Sequence, residues 1–136
     1  MGTAADIQRE YFTAIRSGDS EGIRRMLHPE YGFTDEEGAS QGVDGRLIRN
    51  WMFSQAFPDW ELTVRRQIEA DGVSVLEGTV TGTHRGPLID VPASGRRISV
   101  DLCSVVDVRD GLILHEREYV DKFTLLQQVG GMPPTS

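Results

Sequence analysis

Two carboxylates near the C-terminal end are the residues of this chain best placed to do chemistry. Glu116 and Glu118 lie in residues 112–120, LILHEREYV, which have the alternation of a strand. Side chains two residues apart on a strand share a face. The predicted row comprises Leu112, Leu114, Glu116, Glu118 and Val120. Acids in an apolar row cost free energy unless they are paired, neutralised or solvated. The pattern therefore predicts either a pocket with acid–base chemistry or an edge strand with one wet face.

The strand before this one is predicted to pair with it as a hairpin. Residues 98–108 alternate cleanly, and residues 109–111, RDG, turn the chain. A three-residue loop ending in glycine unites the two apolar rows and places Ser104 opposite Glu116. A two-residue loop would instead move both acids to the other face of residues 98–108. We expect the three-residue loop, because a one-residue slip exchanges the buried and exposed faces of a strand.

Helical periodicity dominates the first half of the chain and strand periodicity the second half. The predicted helices cover residues 4–16, a segment from Asp19 or Ser20 to about 27, residues 44–56, and a segment after Val120. The predicted strands cover residues 31–35, 60–70 and 73–84 in addition to the hairpin. Helices grouped ahead of antiparallel strands predict an α+β fold, in which helices cover one face of a curved sheet.

Two glycines lie on the same face of the strand 73–84 as His84, and they have two interpretations. If the face of Gly78 and Gly82 looks inward, their missing side chains leave room beside Glu116 and Glu118. Alternatively, both glycines mark bulges or bends, which long curved strands also need.

The composition is that of one globular domain. The chain has 136 residues and a net charge of −7, which argues against nucleic acid or an anionic membrane surface as a partner. A single cysteine, no signal-peptide pattern in residues 1–20 and no long apolar run lead us to expect a cytoplasmic protein. The three histidines lack metal-ligand spacing and no cofactor-binding motif occurs, so neither a metal nor a cofactor is expected. We expect residues 1–2 and 131–136 to be loose tails.

Four stretches together resemble the SnoaL-like polyketide cyclases. They are FPDW at 57–60, GTHRG at 82–86, PASGR at 92–96, and residues 110–130 from the turn to QQVG. The resemblance implies a cone-shaped, cystatin-like α+β barrel with an internal cavity, as in ketosteroid isomerase, scytalone dehydratase and nuclear transport factor 2. It also implies a homodimer and a small-molecule substrate from secondary metabolite biosynthesis. Some proteins with this fold only bind ligands, so the fold alone does not establish catalysis.

Carried over position by position, the resemblance places the acid–base aspartate of the cyclases at Glu118. It also implies roles for His84 and Asp121, and Glu116 replaces a histidine of the cyclases. The glutamine and histidine with which the cyclases handle the enolate oxygen fall on Leu102 and Ser104. A weaker similarity to limonene-epoxide hydrolase lies in residues 117–121, REYVD, but the rest of the epoxide-opening triad is not matched.

The predicted site therefore has a catalytic set and a binding set. The catalytic candidates are Glu118, Glu116, His84 and Asp121. The candidates for lining the pocket are Ser104, Leu102, Val100, Gly82, Tyr31, Phe33 and Trp51. The expected function is cofactor-independent acid–base chemistry on a small, largely apolar, polyketide-like intermediate, by cyclisation, isomerisation or ring opening. The alternative functions are a non-catalytic binding protein of the same fold and an epoxide-opening hydrolase or cyclase. Asp121, at the junction of strand and helix, also suits the N-cap of the last helix.

Overall fold

Four helices and six strands make up residues 2–131, the part of the chain that the computed structural model describes. The helices are α1 (Ala4–Ser17), α2 (Ser20–Met26), α3 (Val43–Ala56) and α4 (Lys122–Val129). The strands are β1 (Leu27–Thr34), β2 (Ser40–Gln41), β3 (Glu61–Ala70), β4 (Val73–Thr83), β5 (Arg97–Arg109) and β6 (Leu112–Val120). The loose tail expected at 132–136 lies outside the described residues, as does Met1, while the Gly131 amide donates to the carbonyl of Leu126.

The six strands form one curved sheet in the order β2-β1-β6-β5-β4-β3. Helix α1 packs against β3, β4 and β5, helix α3 against β1 and β2, and helix α4 against β5. The predicted α+β cone-shaped fold is therefore confirmed. The sheet is mixed rather than wholly antiparallel, because β1 and β6 run parallel. These two strands are far apart in sequence, so no hairpin fixes their relative direction.

Helix α1 presents one apolar face to the sheet, as the four-residue spacing of Ile7, Tyr11 and Ile15 in the sequence predicts. Thr3 and Asp6 form a capping box at its start, and Gly18 ends it in the left-handed conformation with φ 72°. Tyr11 is fully buried on the inner face. The helix therefore carries a polar phenol into the core at a fixed position.

The turn between β5 and β6 differs from the predicted three-residue loop. Arg109 pairs with Leu112, which leaves a two-residue loop of Asp110 and Gly111 with φ values of 54° and 75°. Positive φ at both central positions is the geometry of the tight hairpin turn that the sequence Asp-Gly favours. The three-residue loop was therefore the wrong prediction.

A bulge nevertheless returns both acids to the inner face. The pairing shifts between Asp107 opposite His115 and Val108 opposite Ile113, so Leu114 is the extra residue. Beyond the bulge, Glu116 lies opposite Val106 and Glu118 lies opposite Ser104. Glu116 and Glu118 are both buried, as is Ile113, whereas Leu112 and Leu114 are only partly buried and do not continue the acid row. The predicted face of the acids is right, and the predicted pairing is wrong by two residues.

The two glycines of β4 allow close approach by neighbouring chain rather than opening a cavity. A Cβ on Gly78 would lie 2.7 Å from Leu62 Cδ1 and 2.8 Å from the carbonyl oxygen of Thr63, and β3 has a bulge opposite, between Val64 and Arg66. A Cβ on Gly82 would lie 3.3 Å from Phe57 Cβ. For Gly78, the alternative of a bulge describes the structure.

Candidate active site

A cavity of about 490 Å³ lies between the helices and the inner face of the sheet. This volume is within the range of about 300–1,000 Å³ that small-molecule sites occupy. Most of its wall is apolar and comes from α1, α3, β4, β5, β6, α4 and the loop after β4. Charged and polar groups are also present, among them Glu36, Gln41, Arg46, Arg49 and Glu118. The cavity therefore suits a mostly apolar ligand that is oriented by a few polar contacts.

Glu118 is the inward-facing acid of β6 that reaches the cavity wall. Its side chain is 11% exposed. Arg46 Nη2 donates to Oε2 at 3.3 Å, and Arg49 Nη2 donates to Oε1 at 3.3 Å. Each carboxylate oxygen therefore has one donor and keeps further acceptor capacity. A carboxylate held in this way can accept a proton from a ligand in the cavity.

Glu116 lies behind Glu118 and does not line the cavity. Its side chain is fully buried, and its Oε1 accepts from Tyr11 at 2.7 Å, Tyr31 at 2.6 Å and Arg46 Nε at 3.2 Å. Its Oε2 has no hydrogen-bond partner among the described residues. Glu116 is thus an anchor that fixes three side chains, rather than a group that a ligand contacts directly.

The two tyrosines around Glu116 are permanent donors. Burial raises the pKa of Tyr11 well above its usual range, and burial together with the charge of Glu116 does the same for the pKa of Tyr31. Both phenols therefore remain protonated at physiological pH. Both hydroxyl groups therefore donate to Glu116 Oε1 and hold that side chain in place.

Arg46 links the two acids of β6. Its side chain is 4% exposed, and its guanidinium lies 5.1 Å from the ring centre of Phe33 and 5.8 Å from that of Tyr11. Burial acts to lower the pKa of Arg46, but the acidic side chains around it, of which Glu116 contributes most, together outweigh burial and hold the pKa well above its usual range. Arg46 therefore stays charged and fixes the distance between Glu116 and Glu118.

Arg49 forms a second bridge, at the cavity surface. Its Nη2 donates both to Glu36 Oε2 at 3.0 Å and to Glu118 Oε1, and the guanidinium lies 5.3 Å from the Phe33 ring centre. The cluster thus contains three carboxylates and two guanidinium groups. We call Glu36, Arg46, Arg49, Glu116 and Glu118 the charged cluster.

The predicted lining residues fall into three groups. Leu102 and Val100 lie on the cavity wall. Tyr31 and Phe33 lie beneath the charged cluster, where Tyr31 holds Glu116 and Phe33 packs under both arginines. Trp51 is 63% exposed and is not among the described residues that line the cavity. Trp51 lies on the outer side of α3 rather than in the pocket. Its helical spacing predicted that it shares a face with other apolar residues, but spacing alone does not say which face of a helix turns toward the cavity.

Ser104 and Gly82 are also away from the described cavity wall. The buried Gln8 side chain donates from Nε2 to the Ser104 carbonyl at 3.0 Å and to Ser104 Oγ at 3.2 Å. Ser74 Oγ in turn donates to Gln8 Oε1 at 2.6 Å. Ser104 is therefore part of a polar contact between α1 and the sheet.

His84 and Asp121 are not among the described residues lining the cavity. His84 is buried against Phe57, with ring centres 5.4 Å apart, and the Ser94 amide donates to its Nδ1 at 3.2 Å. Its ring proton is therefore on Nε2, which has no partner among the described residues. Asp121 caps α4 through hydrogen bonds from the amide and hydroxyl of Thr124 at 3.1 and 2.7 Å, which lower its pKa.

We predict that His84 makes the stability of the protein depend on pH. Burial lowers the pKa of His84 in the folded state, so the unfolded chain takes up the proton first. The contribution is fully present above the unfolded value of about 6.5 and is lost as the pH falls from there through the folded pKa. Urea unfolding from pH 7.5 to 5 should show this decline, and His84→Gln should flatten it. His28→Gln, which replaces a partly exposed histidine, is the control. An equal slope in wild type and His84→Gln would contradict the prediction.

Several residues of the charged cluster were not predicted from the sequence. Arg46 and Arg49 are three residues apart on α3, which places them on one helix face, so their spacing was an available signal. Tyr11, which donates to Glu116 from outside the cluster, lies within the predicted helix 4–16 and was not predicted as a site residue. Glu36, in the loop after β1, carries no sequence signal that separates it from an ordinary loop residue.

Within residues 2–131, no group of three or more His, Cys, Asp or Glu side chains is arranged to hold a metal ion. No helix in the same part of the chain is long and apolar enough to cross a membrane.

The fold and the cavity define an α+β protein with an internal small-molecule site, and comparison with known proteins identifies its family. The family model described as SnoaL-like polyketide cyclase matches residues 5–129. The chain therefore belongs to the SnoaL-like polyketide cyclase family.

The chain is also similar to individual relatives and solved structures. The chain is 25% identical over 139 residues to the aklanonic acid methyl ester cyclase DnrD of Streptomyces peucetius, covering 99% of this chain and 96% of that protein. The fold is similar to the crystal structure of IdmH, a proposed polyketide cyclase from Streptomyces antibioticus, with a TM-score of 0.85, 24% identity and coverage of 95% and 99% of the two chains. It is also similar to that of AclR, a proposed hydroxylase from Streptomyces galilaeus, with a TM-score of 0.87, 23% identity and coverage of 98% and 84%.

Proposed function

We propose that this protein is a cofactor-independent enzyme that removes a proton next to a carbonyl group of an uncharged, largely apolar polyketide-like intermediate. The observation that carries the proposal is the position of Glu118. It is the acid of β6 that lines an otherwise mostly apolar cavity, and it is held by two arginines. The name of the relative DnrD, an aklanonic acid methyl ester cyclase, supports a cyclisation as the outcome.

Glu118 is the proposed general base. The carboxylate accepts the proton of a C–H bond beside the carbonyl, and the electron pair of that bond moves to the carbonyl oxygen as an enolate. The enolate carbon then attacks a second carbonyl of the same molecule to close a ring, and the alkoxide formed at that carbonyl takes the proton from Glu118, which restores the carboxylate. Positioned acid–base groups typically accelerate a reaction by about 10²–10⁴. Arg46 is proposed as a positioning residue because it donates to Glu118 directly. Glu116, Tyr11 and Tyr31 are proposed as positioning residues because Glu116 holds Arg46 and is itself held by the two tyrosines.

A non-catalytic binding protein is the second candidate function. It is supported by Leu102, which presents an apolar side chain where the cyclases have a polar one, and by the pairing of Glu118 with both arginines. Ring opening of an epoxide is a further possible outcome of the same carboxylate chemistry. The name of AclR, a proposed hydroxylase, indicates that similar folds are associated with more than one reaction.

The proposed function is tested by incubating the purified protein with polyketide methyl esters, their free acids and epoxide intermediates, with product detection by mass spectrometry. We expect conversion of an uncharged polyketide ester without added cofactor and with no effect of a chelator. Tight binding of the same ester with no product would support the binding protein instead. Activity that a chelator abolishes and a divalent ion restores would contradict cofactor independence.

We also propose a homodimer that forms through the outer face of the sheet, as the family resemblance implies. This face carries the half-exposed side chain of Tyr119, and the partly buried Cys103 lies opposite it on β5. Multi-angle light scattering should give twice the mass of 15.1 kDa, and Tyr119→Glu should shift the mass toward the monomer. A single 15.1 kDa species at high concentration would contradict the dimer. A cytoplasmic location, indicated by the single cysteine, stays a prediction.

A further inference from the structure

We propose that Arg49 binds the carbonyl oxygen of the substrate and stabilises the enolate that forms on it. The proposal rests on the proposed function, because it names the group that receives the charge when Glu118 removes the proton. An enolate oxygen needs a hydrogen-bond donor, because preorganised donors at the atom where charge develops stabilise the transition state and account for much of the rate acceleration.

The inner-sheet positions that handle the enolate oxygen in the cyclases cannot do so in this chain. Leu102 lines the cavity but has no polar atom. Ser104 is fully buried away from the wall, where its hydroxyl accepts a hydrogen bond from Gln8 Nε2. A donor for the oxygen must therefore come from another element of the wall, and helix α3 contributes two arginines, Arg46 and Arg49, to that wall.

Arg49 lines the cavity and has N–H groups that no acceptor among the described residues uses. A guanidinium has five N–H groups, of which the two on Nη2 bind Glu36 and Glu118. Within residues 2–131, Nε and Nη1 have no acceptor, so three N–H groups remain. The Arg49 side chain is 26% exposed and lines the cavity. By contrast, Arg46 is 4% exposed and binds both acids of β6, which fixes it as a structural bridge.

The charge of the cluster explains why Arg49 would act in the transition state rather than in the resting enzyme. While Glu118 is ionised, Arg49 is balanced by two carboxylates. When Glu118 accepts the proton, the C–H bond breaks, an O–H bond forms on Glu118 and the negative charge moves to the substrate oxygen. Arg49 donates to Glu118 and also lines the cavity, so its guanidinium can pair with the negative charge both on Glu118 and, after proton transfer, on the substrate oxygen. Interactions that strengthen only as charge moves are the ones that raise kcat.

The decisive experiment measures oxyanion binding without turnover. Glu118→Gln imitates the protonated base, and 2-naphthol is the probe, because its two rings suit the apolar wall and its absorption spectrum distinguishes phenol from phenolate. We expect Glu118→Gln to bind naphtholate at least tenfold more tightly than the double variant Glu118→Gln/Arg49→Gln. The wild type should bind naphtholate more weakly than Glu118→Gln, because Glu118 repels it.

The control is Glu118→Gln/Arg24→Gln, which removes an arginine of the exposed pair with Asp44 and should bind naphtholate as Glu118→Gln does. Circular dichroism checks that each variant is folded. If the double variant with Arg49→Gln is not folded, Glu118→Gln/Arg49→Lys is used instead. We expect this variant to bind naphtholate at least threefold more weakly than Glu118→Gln, since lysine lacks the planar fork of the guanidinium group. Naphtholate binding that is absent from Glu118→Gln, or equal within twofold with and without Arg49, would overturn the proposal.

Kinetics separate this proposal from the proposed function. On a substrate that the wild type converts, Arg49→Gln should lower kcat by about 10²–10³ with a smaller change in KM. If turnover depends on Glu118 but not on Arg49, the role of Arg49 fails and the proposed function stands. If no substrate is converted while naphtholate binding depends on Arg49, the proposed function fails and the oxyanion site stands.

Discussion

Glu118→Gln is expected to lower turnover of a verified substrate by about 10²–10⁴ while the protein stays folded and still binds that substrate. The amide has nearly the shape of the carboxylate, and its oxygen can keep one of the two arginine contacts. It cannot take a proton from carbon, so the loss should appear in kcat more than in KM. Steady-state kinetics with product detection by mass spectrometry measures the effect.

The matched control for this experiment is Glu77→Gln. Glu77 lies on the outer face of β4 and pairs with Arg66, so the same exchange of acid for amide occurs away from the cavity. We expect activity within about twofold of wild type. Glu118→Gln with nearly wild-type turnover would end the assignment of the general base, and Glu36, the other carboxylate named on the cavity wall, would be the next candidate.

Arg46→Met is expected to lower the free energy of unfolding by about 3–5 kcal/mol, which is the usual cost of breaking a buried ion pair from one side. Removal of the guanidinium leaves Glu116 with two phenol donors only, at a site where its side chain is 0% exposed. Glu118 loses its Oε2 donor in the same variant. Urea unfolding followed by circular dichroism measures the change, and activity should fall with it because Glu118 loses its position.

Two further variants show whether the unpaired charge is the cause. Arg46→Met leaves the buried negative charge of Glu116 without its ion-pair partner. The double variant Arg46→Met/Glu116→Gln removes that charge, so it should recover part of the lost stability. Arg24→Met breaks an exposed pair with Asp44, where side chains are 45% and 81% exposed, and should cost only about 0–1 kcal/mol. If Arg46→Met does not fold, Arg46→Lys keeps the charge and should be intermediate in stability. A loss below about 1 kcal/mol for Arg46→Met, equal to that of Arg24→Met, would contradict a structural role for the bridge.

The sequence by itself determined the class of fold and the face on which the two acids lie. Alternation along residues 98–120 is a local property, because each side chain of a strand points away from the next. The apolar rows of the two strands favoured the arrangement in which the acids face inward. Helix α1 could also be predicted from the sequence, because its capping residues and its four-residue apolar spacing are all local features of the helix.

The pairing of the hairpin depended on more than the local pattern. The tight two-residue turn would have placed the acids outward, and the bulge at Leu114 turns them back. A bulge has no sequence signature of its own here, since any residue can occupy the extra position when packing on both sides favours it. The predicted pairing was therefore two residues out, although the predicted face was right.

Only the tertiary structure decided which polar groups surround the acids. Arg46 and Arg49 come from α3, Tyr11 from α1, Tyr31 from β1 and Glu36 from the loop after β1, and these elements are separated by most of the chain from β6. The direction and distance of such contacts depend on how helices lie across a sheet, which no local periodicity specifies. For this reason the sequence predicted an acid in an apolar pocket, whereas the folded protein places that acid between two guanidinium groups at the cavity wall.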